Sequence, residues 1–276
     1  MMTRALARAV TAAYSAGSPL TTGYAEPVTA YVGPAAGYAG TGSAMSGGVD
    51  VRVSFLDHAG PRPGAVLWSL ATAGHRSAVV VPLLLTAAYH GRVDLPAVLA
   101  EARANGLHLA VAVTDVLGPV EGVVPELLLG GLRRRLGETH GGARGRTGYD
   151  RSVYDGCAHY DGLVLAAAGT RDELARQSVT LAAKRLGADL GVPCEVGYAS
   201  ASAPTGGQAV RTLRAAGARR VGVAAYFLAC GRLYDTVVGS ALAAGATAAA
   251  LPLGAAPELA ELVLARVRAV EPLPVG

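Results

Sequence analysis

Lysine is nearly absent from this sequence: Lys184 is the only one, and almost all positive charge is arginine. Aromatic residues make up 5% and charged residues 16%, whereas 51% are apolar. A chain of 276 residues with that balance is neither disordered nor fibrous. Its core must be built from Ala, Val and Leu. The Arg-, Ala- and Gly-rich usage matches a GC-rich genome, a coding bias rather than a function. Cys157, Cys194 and Cys230 are odd in number and form no CxxC pair, which excludes a disulfide framework or a zinc ribbon. A reducing, cytoplasmic setting is expected. No apolar run reaches the roughly 18–20 residues of a membrane helix. A net charge of +4 is far short of a nucleic-acid-binding arm. The first 17 residues are basic and acid-free but too broken for a secretory signal, with a transit peptide as the alternative.

What is present is α/β alternation beginning at Val49. Residues 15–48, rich in Gly, Ala, Ser, Thr and Tyr, show neither helical nor strand period, so residues 1–48 read as a poorly ordered segment. Val49–Leu56 reads as a strand, and Pro63–Ala73 as a helix closed by Gly74. The run SAVVVPLLL (77–85) has the continuous apolar character of a strand buried on both faces of a parallel sheet. Asp94 caps a helix to about Ala104, a strand covers 107–113, and a helix covers Pro125–Leu136. A polar stretch then reads as a linker, and the pattern restarts at 163 with a helix boxed by Thr170 and Glu173. The expected organisation is a first α/β half at 49–137, a linker at 138–161 and a second half at 162–272.

The restart is an internal duplication. GVDVRVSFLDHAGP (48–61) aligns with GVPCEVGYASASAP (191–204) at an offset of 143, which also pairs Gly74 with Gly217 and Arg76 with Arg219. LGPVEGVVPELL (117–128) resembles LGAAPELA (253–260) with a short insertion. The second copy's strand at 163–169 and the helix after it have no recognisable partners in the first copy. Duplicated halves usually form a cleft.

Chemistry concentrates in the first copy. His90, in TAAYHGRVDLP (86–96), follows a buried strand and precedes a helix cap. Ligands in open parallel sheets bind at the carboxyl ends of strands. An imidazole there can bind a metal or take a proton near neutral pH. Asp57 and His58, in SFLDHAGP (54–61), also follow a strand end. A carboxylate with imidazoles suits Co²⁺, Ni²⁺ or Fe²⁺. The alternatives are a surface-loop histidine and a turn-capping aspartate. At the same offset the second copy has Ser200, Ala201 and Leu233, so the polar set belongs to one half. Tyr89, Tyr226 and Tyr234 are candidates for a cleft lining or for packing. His75 and His108 precede strands at the opposite edge and read as structural. His140, His159 and Cys157 offer a second, looser metal-binding group. GTRDE (169–173) lacks both GxGxxG and GK[ST].

SFLDHAGP and VVVPLLLTAAYHGRVDLP resemble the sirohydrochlorin chelatases of the CbiX/SirB type, above all the long two-copy forms, from about residue 49 to the end. The resemblance implies a class II chelatase fold: two similar three-layer α/β halves with parallel sheets and the macrocycle in the cleft between them. It implies insertion of Co²⁺ or Fe²⁺, as substrate, into sirohydrochlorin, with no organic cofactor and no nucleic-acid or membrane partner. His90 matches the second of the family's two metal-handling histidines, and Asp57 an acidic position. Arg62, Arg76 and Arg92 flank the relevant loops, and Arg62, Arg92 and Tyr89 would meet the polycarboxylate substrate. The family's HGSR motif is absent, and AGTRD (168–172) carries Ala168 where a histidine would stand. The alternatives are a non-catalytic tetrapyrrole- or metal-binding descendant and, more remotely, a periplasmic-binding-like module. One chain supplying both halves suggests a monomer with an internal pseudo-dimer.

Overall fold

The computed structural model describes residues 28–34, 49–56, 60–86, 95–139 and 160–270. Most of the segment 1–48, most of the expected linker, and Asp57, His58, Tyr89, His90, Arg92 and Asp94 lie outside them.

The described residues form two compact units, one up to Leu117 and again from Leu259, the other Gly118–Glu258. In the first unit, β1 (Val28–Pro34), β2 (Val49–Phe55), β3 (Ser77–Pro82) and β4 (Ala110–Val113) form a sheet in the order β2-β1-β3-β4. Helices α1 (Pro63–Thr72) and α2 (Leu95–Ala104) pack together through Val66, Leu67, Leu70, Leu95, Leu99 and Ala102 onto Ala78 and Val80 of β3. Helix α1 begins as its sequence dictates: Pro63 occupies a position whose N–H would be idle, and the apolar side chains recur at helical spacing.

The strand β1 corrects the sequence reading, which expected no strand before Val49. It pairs antiparallel with both β2 and β3, so the first sheet is parallel only between β3 and β4. Its seven residues VTAYVGP hold Val, Thr and Tyr, good strand formers, but the run is short and ends in Gly-Pro. Strand direction is set by the partners, which a local reading does not contain.

The second unit contains α3 (Glu126–Glu138), β5 (Gly162–Ala167), α4 (Glu173–Leu190), β6 (Cys194–Tyr198), α5 (Gly206–Ala215), β7 (Val221–Ala225), α6 (Arg232–Ala243) and β8 (Ala248–Ala249). Its sheet, in the order β6-β5-β7-β8, is parallel throughout. Every residue of β5 and β7 is buried. Helices α5 and α6 cover one face through Ala209, Val210, Leu213, Val237 and Ala241, while α3 and α4 also pack on the sheet. Central strands covered on both faces need apolar residues at every position, which is why these read as unbroken runs. Helix α4 is capped by Asp172, which accepts from Ala175 N–H at 3.1 Å, and not by the Thr170–Glu173 box expected from the sequence. Thr170 instead accepts from the Asp172 N–H. A full capping box occurs at Thr205 and Gln208 of α5. Tyr160, at the end of the expected linker, is buried, and its hydroxyl lies 2.7 Å from Thr139 Oγ1.

The duplication is visible in the backbone. Helices α1 and α5 keep the offset of 143, and Gly74 and Gly217 both adopt positive φ behind them. Phe55 N–H donates to the Pro61 carbonyl at 2.9 Å, and Tyr198 N–H to the Pro204 carbonyl at 2.8 Å. The Leu84 carbonyl accepts from Leu117 N–H, as that of Phe227 does from Leu253 N–H. β1 and β5 hold corresponding places in their sheets, but in opposite directions.

The packing units cut across the sequence halves. Helix α3, which follows β4 of the first half, belongs to the second unit. Helix α7 (Pro257–Arg268), the last of the second half, belongs from Leu259 onward to the first.

Candidate functional site

The register of β1 fixes what its neighbours share. Thr29 pairs with Ser54 of β2 on one side and Pro82 of β3 on the other. The carboxyl ends of β2 and β3 are therefore level, at one edge of the first sheet. In sequence, residues 57–59, with Asp57 and His58, come after β2, and residues 87–94, with Tyr89, His90 and Arg92, come after β3; both stretches lie outside the described residues.

The described residues around these segments are well tied. Phe55 and Pro61, which flank Asp57 and His58 in sequence, are joined by the N–H-to-carbonyl bond. Arg62, at the N-cap of α1, is exposed and donates from Nη1 to the Leu56 carbonyl. Arg76 does not flank the site: it stands before β3, at the sheet's amino end, where its carbonyl accepts from Ala110 N–H. The reading that placed it with Arg62 and Arg92 took nearness in sequence for nearness in space.

Sequence reasoning passed over the end of β4. β4 runs parallel to β3, with Val80 paired to Val113. Thr114 and Asp115 therefore emerge at the same edge, Thr114 buried and Asp115 exposed. The position just beyond a parallel strand was the signal available for them.

The opposite edge holds a different arrangement. His75 is buried, with Nε2 3.1 Å from Asp50 Oδ2. Arg52 donates to both Asp50 oxygens and to Ser69 Oγ. Burial pushes the Asp50 carboxyl up, but Arg52 and His75 outweigh it and hold the group below its ordinary value of 3.8. Buried and held against Asp50 at the edge opposite the β2 and β3 carboxyl ends, His75 has a structural role.

In the second unit the loop after β5 is clamped by backbone. Ser200 donates to the Ala168 carbonyl from both N–H and Oγ, and Ser202 Oγ donates to the Thr170 carbonyl at 2.6 Å. Gly169 has φ +91°, and a Cβ there would stand 1.8 Å from the Ser200 carbonyl oxygen. Tyr226 and Tyr234 are buried in the core. Tyr234 donates to the Ala250 carbonyl at 3.0 Å and meets Phe227 edge to face, and burial pushes the Tyr226 phenol well above its ordinary range. Among the described residues, no group of three or more His, Cys, Asp or Glu could hold a metal ion. Nor is any described helix long and apolar enough to cross a membrane.

Comparison with known proteins accounts for both copies. The CbiX family model matches residues 34–129 and 162–270, ranges that take in Asp57, His58, Tyr89, His90 and Arg92. SirB from Bacillus subtilis with Fe³⁺ is similar in structure, with a TM-score of 0.63, 19% identity, and coverage of 78% of this chain and 79% of that one. The sirohydrochlorin chelatase SirB from Bacillus subtilis subspecies spizizenii in complex with cobalt gives a TM-score of 0.59 at 19% identity, covering 78% of each chain. No curated protein matches the sequence. The fold is thus the α/β class II chelatase fold. Matched across both copies, the chain belongs to the CbiX family.

Proposed function

We propose that this protein inserts a divalent metal ion, Co²⁺ or Fe²⁺ with Ni²⁺ as a further candidate, into sirohydrochlorin. The observation that carries the reading is the CbiX family match over both copies; the level ends of β2 and β3, the strands that precede Asp57–His58 and His90 in sequence, support it. Structural relatives with Fe³⁺ and with cobalt support it.

Metal insertion exchanges two pyrrole N–H protons for one divalent ion. The ion must be held loosely enough to be surrendered, and the protons must go to a base. A neutral imidazole can do both, as a borderline ligand and as an acceptor with a reference pKa of about 6.5. His90 takes that role, and Asp57 and His58 help hold the ion and its charge. Arg62, Arg92 and Tyr89 meet the rim of the macrocycle, where arginine suits peripheral carboxylates. Arg62 also braces the Asp57 loop through the Leu56 carbonyl. The protein works as a cytoplasmic monomer with an internal pseudo-dimer and needs no organic cofactor.

A second reading, a binder of the tetrapyrrole or the metal without turnover, is favoured by one observation. Ala168 stands where the family's other histidine would be, and no histidine precedes His58. Anaerobic absorption spectroscopy separates the two. A chelatase accelerates the spectral change of sirohydrochlorin with Co²⁺, and His90→Ala abolishes that acceleration while Arg76→Ala keeps it. A binder shifts the spectrum of the free macrocycle at stoichiometric protein and leaves the insertion rate unchanged.

A further inference from the structure

We infer that each sequence half carries a face built to accept the terminal helix of the other half, so the two halves stay assembled without the chain that joins them. Neither half contains all of a packing unit. The second unit includes α3 from the first half, and the first unit includes most of α7 from the second.

The acceptor face for α3 is specific in shape and charge. Leu128, Leu129, Leu132 and Leu136 of α3 are fully buried. Between them lie Gly130 and Gly131. Mid-helix glycines cost helix stability relative to alanine, and here they admit close neighbours. A Cβ on Gly131 would lie 3.0 Å from Leu253 Cδ2, and one on Gly130 would lie 3.4 Å from Glu258 Cγ. Both neighbours come from the second half. Arg134 then grips Glu258: Nε and Nη2 both reach Oε1, at 2.7 and 2.6 Å, and Nε also donates to Oε2 at 3.0 Å. Arg135 donates from Nε and Nη2 to the Leu253 carbonyl.

The reciprocal face is in the first unit. Arg266 of α7 donates to the Val116 carbonyl at 2.8 Å, the strand-end region that corresponds to Leu253 in the duplication. Leu259, Leu262, Val263 and Leu264 of α7 are buried. Separating the halves would pull one buried helix from each unit, exposing eight large apolar side chains in all. The partner that fits each face is thus the other half of this chain, supplied in cis or as a separate polypeptide.

The test uses the full chain with a specific protease site introduced between residues 139 and 160. After complete cleavage, the two fragments should elute together at the size of the intact chain at ~1 µM and separate only in denaturant. Arg134→Glu in the cleaved protein should weaken the association by about tenfold, and adding Glu258→Arg should restore most of it. Fragments that elute apart after cleavage under native conditions overturn the inference. So does an Arg134→Glu protein whose fragments associate as tightly as the unsubstituted pair.

Discussion

Gly169→Ala should be among the most damaging single-methyl changes in the second unit. At φ +91° an L side chain costs about 1–2 kcal/mol. The new Cβ would also lie 1.8 Å from the Ser200 carbonyl oxygen, a backbone atom that cannot rotate away. Relief requires the loop after β6 to retreat. That endangers the Ser200 N–H and Oγ bonds to Ala168 and the Ser202 Oγ bond to Thr170. Each such bond contributes about 0.5–1.5 kcal/mol. If all three bonds are lost, the terms amount to roughly 2.5–6.5 kcal/mol. Gly217→Ala is the control: its φ is +103°, but nothing lies within 4 Å of the added methyl, so only the conformational cost of about 1–2 kcal/mol remains. Urea unfolding followed by circular dichroism measures both. If the two variants lose the same stability, the clamp between the β5 and β6 loops is not as described.

Asp50→Ala strips buried His75 and half-exposed Arg52 of their shared partner and should cost about 2 kcal/mol in urea unfolding at pH 7. Because the folded-state pKa of Asp50 is depressed, its contribution is present above the unfolded carboxylate value of about 4 and is lost as pH falls below it. The gap between wild type and Asp50→Ala should therefore close as pH falls below about 4. Tyr160→Phe removes the hydroxyl partner of Thr139 and should lower stability by about 1 kcal/mol in the same assay. Burial pushes the Cys194 thiol up to about 12, whereas Cys230 is exposed. Alkylation of the native protein at about pH 8, mapped by peptide mass, should label Cys230 and spare Cys194.

The elements legible in the sequence were those whose signals are local. Pro63, the spacing of Val66, Leu67 and Leu70, and Gly74 each act within one helix, and α1 lies where they place it. The unbroken apolar runs of β5 and β7 followed from burial on both faces, whereas in β3 Ser77 and Val79 are only partly buried and the neighbour β1 is antiparallel. The duplication was legible because the two copies share a loop closure as well as residues. What escaped was non-local. The direction of β1 depends on β2 and β3, far off in the chain. The amphipathic stripe of α3 shows that it must pack but not on which sheet, so its place in the second unit could not be read. At α4 both Thr170 and Asp172 offered a cap, and only the path of the chain selects Asp172. Of the candidate site, the motifs point to Asp57, His58 and His90, which lie outside the described residues, and the structure adds that β2 and β3, the strands before them in sequence, end level. Arg76 was misplaced because it precedes its strand rather than follows it.

The central claim is that a first-copy histidine and aspartate suffice for metal insertion without the family's other histidine. The most direct measurement is the initial rate of Co²⁺ insertion into sirohydrochlorin under anaerobic conditions, compared for no protein, the intact chain, Asp57→Ala and His90→Ala. The account predicts a rate well above the spontaneous one, lowered at least tenfold (~1.4 kcal/mol of barrier) by Asp57→Ala and returned to the spontaneous rate by His90→Ala. An intact chain no faster than buffer, or a His90→Ala variant as fast as the intact chain, would contradict it.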